Sequence, residues 1–338
     1  MRLRIPGPVS AGILLSYRCS GECRHCMYAC SPGWRDGWLP EGRLGRMLEG
    51  LRGRIVGAPG GGIGINHGLH LTGGEPFLNF RLLLRAVRRA AEMGIPSTFV
   101  ETNSCWCTDD ESTRERLLEL RGAGLQGMLV SVNPFVVEHV PFERIERAVR
   151  VGSEVFGENL LVYQPLFYLL FRRMGLRGTL PFERYLELFG ARSLLHAELL
   201  PMGRAVYRLE GVLGRLYGRR RAEDFFGQSC LAELTRPWHV HLDSQGNYVP
   251  GYCGGLSLGE AEELEGLLSG VELEDRPVLG ALVRDLRLLY ELAGEFGYRE
   301  REEGYVSRCH LCLDLRRHLA RETGEFRELR PREFYEHL

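Results

Sequence analysis

Gly12-Ile13-Leu14-Leu15-Ser16-Tyr17-Arg18-Cys19-Ser20-Gly21-Glu22-Cys23-Arg24-His25-Cys26 is the stretch that decides how this 338-residue chain is read. The apolar run Gly12–Tyr17 predicts a strand, and three cysteines follow at once on one short loop, spaced C-x3-C-x2-C. Three thiolates so placed can hold three irons of a cubane cluster and leave its fourth iron open to a small molecule. Short-spaced cysteines also suit a zinc knuckle or a cluster that only moves electrons.

Outward from this loop, strand-like and helix-like runs alternate through about residue 205. The predicted strands are Gly12–Tyr17, Leu69–Thr72, Ser97–Glu101, Gly127–Val132, Leu160–Tyr163 and Ala197–Leu200. Between them lie amphipathic stretches at Arg81–Glu92, Ser112–Gly122, Pro141–Val155 and Pro181–Phe189, with apolar residues near helical spacing. In Arg81–Glu92 the apolar set is Leu82, Leu83, Ala86, Val87 and Ala90. Alternating β and α implies a parallel sheet with helical crossovers. Periodicity alone allows a barrel or a doubly wound open sheet. Beyond residue 205 the alternation stops. Val206–Phe226 reads as helical, Asp243-Ser244-Gln245-Gly246-Asn247-Tyr248 as a hairpin turn, and Glu260–Phe296 as a long acidic helical region. A domain boundary near Arg208 is expected, giving segments 1–208 and 209–338.

Leu71-Thr72-Gly73-Gly74-Glu75-Pro76 closes the second predicted strand. Glycines there let the backbone approach a ligand closely, and Glu75 carries the only strong charge of the turn. With the cysteine triad, this turn resembles the Gly-Gly-Glu-Pro motif of the radical S-adenosylmethionine (SAM) superfamily. The resemblance implies an α/β fold, a partial (β/α)6 TIM-like barrel, with Cys19, Cys23 and Cys26 binding a 4Fe-4S cluster whose open iron chelates SAM. It implies reductive cleavage of SAM and hydrogen abstraction from a substrate. Gly73, Gly74 and Glu75 would receive the SAM amino group, and His25 would offer a flat surface to the adenine. Asn103, Ser131 and Asn133, at strand ends, would meet the ribose or carboxylate, and Arg204 in Gly203-Arg204-Ala205 would pair with a carboxylate. The histidine could equally be an ordinary loop residue, and each of the others a cap, a turn former or a surface ion pair.

Cys230, Cys253 and the C-x2-C pair Cys309 and Cys312 flank and follow the predicted hairpin. This layout resembles the SPASM and twitch extensions of the same superfamily and implies a smaller C-terminal auxiliary iron-sulfur domain. Four thiolates saturate one cubane, and they also suit tetrahedral zinc. Cys105 and Cys107 follow the third strand, where a thiol near the barrel mouth could donate hydrogen or act as acid or base, or could simply be buried and inert. Cys30 is expected beside the cluster loop without a ligand role. His67, His70, His239, His241, His310 and His318 show no metal-site spacing; His239 and His241 alternate on a strand and so share one face, which reads as cross-strand packing.

Formal net charge is −1 and the chain has no lysine, so there is no overall basic field to attract nucleic acid and no Schiff-base lysine chemistry. No apolar run approaches a membrane span, and the N-terminal residues lack the pattern of an export signal. A cytoplasmic enzyme is therefore expected, its partners being SAM, an external electron donor such as flavodoxin or ferredoxin, and a substrate. The resemblance favours a peptide or protein side chain as substrate; a small molecule or cofactor precursor is the alternative, and an iron-sulfur electron-transfer or sensor protein is the reading from another class.

Overall fold

The computed structural model describes all 338 residues. Its nine strands are β1 (Arg2–Leu3), β2 (Ser10–Leu14), β3 (Gly68–Thr72), β4 (Phe99–Thr102), β5 (Gly127–Ser131), β6 (Leu160–Tyr163), β7 (Val240–Leu242), β8 (Tyr248–Val249) and β9 (Val271–Glu272). Seven form one sheet in the order β6-β5-β4-β3-β2-β7-β8, parallel throughout except for β8; β1 and β9 pair separately. Every residue of β2 and β3 is buried, the mark of parallel strands covered on both faces.

The crossover helices Glu41–Leu51, Phe80–Glu92, Asp110–Gly122 and Phe142–Phe156 pack side by side along the sheet. Helix Phe80–Glu92 buries Leu82, Leu83, Ala86, Val87 and Ala90, the stripe its spacing predicts. Its start is fixed by Asn79, whose side chain accepts the Leu82 N–H at 3.2 Å. Asp109 caps Asp110–Gly122 in the same way through the Ser112 N–H at 2.8 Å. The result is the parallel sheet with helical crossovers that the alternation implies, in the α/β partial-barrel arrangement that the resemblance implies.

Its last strand differs from expectation. Ala197–Leu200 forms no strand: Ala191–Ala197 is a 3-10 helix, and Glu198 turns the chain with a left-handed φ of 47°. The sheet grows at its other edge instead. There β7 pairs in parallel with β2, matching Ala11 to Val240, Gly12 to His241 and Ile13 to Leu242, and the hairpin partner β8 completes the edge. The stretches 206–226 and 260–296 are likewise broken into shorter helices, the second by the Pro277 that starts helix Pro277–Arg284. No helix is long and apolar enough to cross a membrane.

Asp243 holds the hairpin in place. One of its carboxylate oxygens accepts the N–H groups of Gln245 (3.0 Å) and Asn247 (2.8 Å); the other accepts the Tyr17 hydroxyl at 2.8 Å. Tyr17 stacks on Trp34 at 4.2 Å, and Trp34 on His337 at 5.0 Å. One buried column thus links the strand that feeds the cysteine loop, the hairpin and the C-terminal segment. Tyr17→Phe keeps the ring and removes one donor from a buried carboxylate, so it should lower stability by about 1–3 kcal/mol in denaturant unfolding, with the fold unchanged by circular dichroism.

Candidate functional site

A cavity of about 260 Å³ lies at the carboxyl ends of the sheet strands, the end at which barrels of this kind place ligands. Cys19, Cys23 and Cys26 form part of its wall. Their loop is stitched to the turn after β3: the N–H groups of Gly74 and Glu75 donate to the carbonyls of Ser16 (2.8 Å) and Arg18 (3.0 Å). A methyl group on Gly74 would sit 1.8 Å from the Arg18 carbonyl oxygen, so the close approach requires glycine. Arg24, within the loop, makes a forked pair with Glu138 at 2.9–3.1 Å.

Burial, with the neighbouring thiols adding to it, pushes the Cys19 thiol up to about 12 and raises Cys23 well above an ordinary thiol. Cys26 is drawn down to about 6, first by its hydrogen bond with Cys30 and then by the Arg204 charge, against the cost of burial. Three acidic donors confined together in this way gain from a shared cation that replaces their protons.

Gly73, Gly74, His25, Asn103, Ser131 and Asn133 all face this cavity. The His25 ring stacks on Phe135 at 4.7 Å, its Nε2 meets the Asn133 amide at 3.3 Å, and its buried Nδ1 has no partner. Asn133 also caps the short helix Pro134–Val137 through the N–H groups of Phe135 and Val136. Asn103 donates to Cys19 Sγ at 3.4 Å and to Ser20 Oγ at 3.0 Å, tying the end of β4 to the first thiolate.

Four expected residues take other roles. Glu75 is fully buried and does not line the cavity; its carboxylate accepts the Thr102 hydroxyl at 2.9 and 3.0 Å and the Asn103 N–H at 2.8 Å, which joins the ends of β3 and β4. Arg204 is also fully buried and has no free edge for a carboxylate ligand. Its guanidinium donates to the carbonyls of Ala29 (2.7 Å), Cys23 (3.0 Å), Cys30 (3.0 Å) and His337 (2.8 Å). It is a positioning residue of the cysteine loop. Cys105 and Cys107 are not part of the cavity wall, and Cys107 is completely buried, with the Thr113 side chain against it. Cys105 stays partly exposed beside the cysteine loop: its thiol meets the Ser20 side chain, and its charge raises Cys19.

Cys230, Cys253, Cys309 and Cys312 come together at a second place. Cys309 and Cys312 lie one turn apart near the start of helix Arg308–Glu322, Cys253 in the turn after β8, and Cys230 at the start of Leu231–Leu234. Burial, helped by repulsion from the other thiols of the set and opposed by the neighbouring arginines, raises Cys253 to about 12 and Cys309 to about 11. The helix N-terminus, Arg308 and the buried Arg316 supply positive charge; Arg316 donates to the Gly254 carbonyl at 3.0 Å and the Tyr335 hydroxyl at 3.1 Å.

Residues that the spacing did not single out complete the main cavity beside the strand-end Glu101. Tyr28, Tyr163 and Tyr252 line it, as do His239 and His241, with His70 grouped against them. No sequence spacing connects β3 with β7; only the register across β2 does.

No protein-family model matches the sequence, and no curated protein matches it. Among solved structures the chain is similar to BtrN in complex with AdoMet and 2-DOIA, at 14% identity over 84% of this chain and 90% of that one, with a TM-score of 0.45. It is similar to native anSMEcpe with bound AdoMet, at 14% identity over 82% of this chain and 83% of that one (TM-score 0.43). It is also similar to Streptococcus suis SuiB bound to precursor peptide SuiA, at 12% identity over 82% of this chain and 67% of that one (TM-score 0.38).

Two outcomes follow from this geometry. Arg204→Ala removes a donor from four carbonyls, of which those of Cys23 and Ala29 keep the Cys26 N–H and the Trp34 indole N–H, and should destabilise the protein in denaturant unfolding by about 1–3 kcal/mol for each carbonyl left unpaired. Arg204→Lys should not restore the lost stability, because an ammonium lacks the planar fork. Burial holds Glu75 at about 7 against an ordinary 4.5, so the folded state binds its proton more tightly than the unfolded chain. The group's contribution is therefore most favourable below pH 4.5 and falls as pH rises through about 7. Thermal midpoints at pH 5 and pH 8 should show Glu75→Gln gaining on the wild type at the higher pH.

Proposed function

We propose that this chain is a radical SAM enzyme with one auxiliary 4Fe-4S cluster. What carries the reading is the single cavity at the strand ends in which the C-x3-C-x2-C loop faces the glycine turn of β3. With a cubane on Cys19, Cys23 and Cys26 and SAM on its open iron, reductive cleavage of SAM supplies a 5′-deoxyadenosyl radical that abstracts hydrogen from the substrate.

The protein's part in that chemistry is placement. Gly73 and Gly74 let the backbone come close enough to accept the ligand's amino group. His25, flattened against Phe135 with Nδ1 free, offers a planar face and an open polar atom to an adenine. Asn103, Ser131 and Asn133 present hydrogen-bonding groups from consecutive strand ends, suited to ribose hydroxyls and a carboxylate. Glu75 and Arg204 hold the two backbone segments on which the ligands depend.

Residues 209–338 hold the second metal centre, with Cys230, Cys253, Cys309 and Cys312 saturating a cubane while Arg308 and Arg316 offset the thiolate charge. The substrate is a peptide or protein side chain that reaches the cavity past Tyr163 and Tyr252; a small molecule or cofactor precursor is the competing class. Electrons come from a reduced flavodoxin or ferredoxin.

Anaerobically reconstituted protein should contain about eight irons per chain and should release 5′-deoxyadenosine from SAM on addition of dithionite. The Cys19→Ala/Cys23→Ala/Cys26→Ala variant should keep about four irons and lose SAM cleavage completely. Cleavage undiminished in that variant, or none by protein with intact clusters, would sink the reading. Zinc in place of the second set of irons would overturn the auxiliary cluster alone.

A further inference from the structure

We propose that His70, His239 and His241, with Glu101, form a mononuclear binding site for a divalent transition-metal ion at the wall of the main cavity. The site is separate from both cysteine sets. It arises from the register of three parallel strands: Gly12 of β2 is paired with His70 of β3 on one side and with His241 of β7 on the other. The three residues form one row on one face of the sheet, and the row's centre has no side chain. A methyl group on Gly12 would lie 2.2 Å from His70 Nε2 and 2.5 Å from the His241 ring. The glycine is thus the gap across which the two imidazoles meet, Nε2 to Nε2, at 3.0 Å. His239, two residues before His241, adds a third ring from the same face, and one ligand nitrogen from each ring falls within 4.8 Å of the others.

The hydrogen bonds fix which nitrogens are free. The Tyr28 hydroxyl donates its one proton to the Gly251 carbonyl at 3.0 Å, so at 2.8 Å it accepts from His241 Nδ1–H. His241 Nε2 is therefore unprotonated. His239 Nδ1 donates to the Ile65 carbonyl at 3.3 Å, which leaves its Nε2 unprotonated as well. Outer partners of this kind orient metal-binding histidines. Burial favours the neutral, ligating form of all three rings. With His241 Nε2 unprotonated, the 3.0 Å contact is held by a proton on His70 Nε2, which donates to His241; ligation through His70 Nε2 moves that proton to Nδ1, which has no partner.

Glu101 places a carboxylate beside the row; burial raises it to about 7, so a bound cation draws it into its ionised form. One of its oxygens accepts the Thr72 hydroxyl at 2.8 Å; the other lies 4.0 Å from His70 Nε2, and no arginine comes within ion-pairing distance of the carboxylate. His239 holds its place with a left-handed φ of 56°, a strained conformation for a non-glycine residue, while its N–H donates to Ser10 Oγ at 2.9 Å. A small rotation of the rings brings the three nitrogens to about 2.0–2.1 Å from one ion. Imidazole and carboxylate together suit zinc, iron(II) or manganese(II). Because His239, His241 and Glu101 line the cavity, the remaining coordination position faces it and would take an oxygen or nitrogen donor of the substrate.

The test is independent of SAM cleavage. Protein with both cysteine sets loaded with iron is stripped of loose metal and titrated with zinc alone, and the product is examined by X-ray absorption at the zinc edge. One zinc per chain with only nitrogen and oxygen neighbours near 2.0–2.1 Å is expected, as against about 2.3 Å for sulfur. Glu101→Gln and His239→Ala should each weaken zinc binding at least tenfold while cluster iron and the thermal midpoint stay at wild-type values, and Tyr28→Phe should weaken it by about tenfold through its outer contact. No zinc bound, a sulfur shell, or equal affinity in the Glu101→Gln and His239→Ala proteins would overturn the site. Iron content reports separately on the cysteine centres.

Discussion

The guanidinium of Arg204 is the constraint on which the cysteine loop depends. A cation with no exposed surface is expensive to bury unless every donor is used. Here the compensation comes from carbonyl dipoles: Cys23, Ala29 and Cys30 of the loop and His337 of the C-terminal segment. The nearest carboxylate, that of the partly exposed Glu22, lies 3.9 Å away. Two consequences follow. One side chain thus pins the loop backbone at both ends of the segment 23–30. The same charge eases ionisation of Cys23, Cys26 and Cys30, opposing the burial that raises Cys23 and Cys30, and thiolate is the form that binds metal.

Local pattern made most of the barrel legible. The stripe on Phe80–Glu92, the buried runs of β2 and β3 and the turn at Asp243–Tyr248 are short-range signals, and the structure contains each of them. Ala197–Leu200 failed because its apolar content is as good a strand signal as that of Val240–Leu242. Which segment covers the free edge of β2 is decided by the Asp243 hairpin and its bond to Tyr17, contacts that span more than two hundred residues. A propensity cannot register such a contact.

Site residues failed for a related reason. Composition places a carboxylate at Glu75 and a guanidinium at Arg204 beside a ligand cavity, but the direction of a side chain is settled by what can satisfy it. Glu75 turns inward because Thr102 and the Asn103 N–H await it there. Arg204 turns inward because a tight loop gathers the carbonyls of Cys23, Ala29 and Cys30 around one point. Both assignments moved from ligand contact to support of the backbone that makes the contact. The cysteines of the loop stand together because their short spacing along the chain brings Cys19, Cys23 and Cys26 to one wall of the cavity.

The histidines are the opposite case, and they show how one cavity can keep two kinds of metal chemistry apart. His70 and His241 are 171 positions apart and meet only because the residue between them across the sheet is Gly12. A valine or leucine there would fill the gap and make an ordinary strand core; the glycine instead leaves buried imidazoles that the surrounding apolar side chains cannot satisfy. On the loop side of the cavity three cysteines stand together with His25 as the one imidazole, and on the β3–β7 side the grouped donors are nitrogen and oxygen. Thiolates suit iron-sulfur clusters, whereas imidazole with carboxylate suits a single divalent ion. Two walls of one pocket can therefore be loaded selectively by ligand type, with Tyr28 bonded to His241 from a position two residues beyond Cys26.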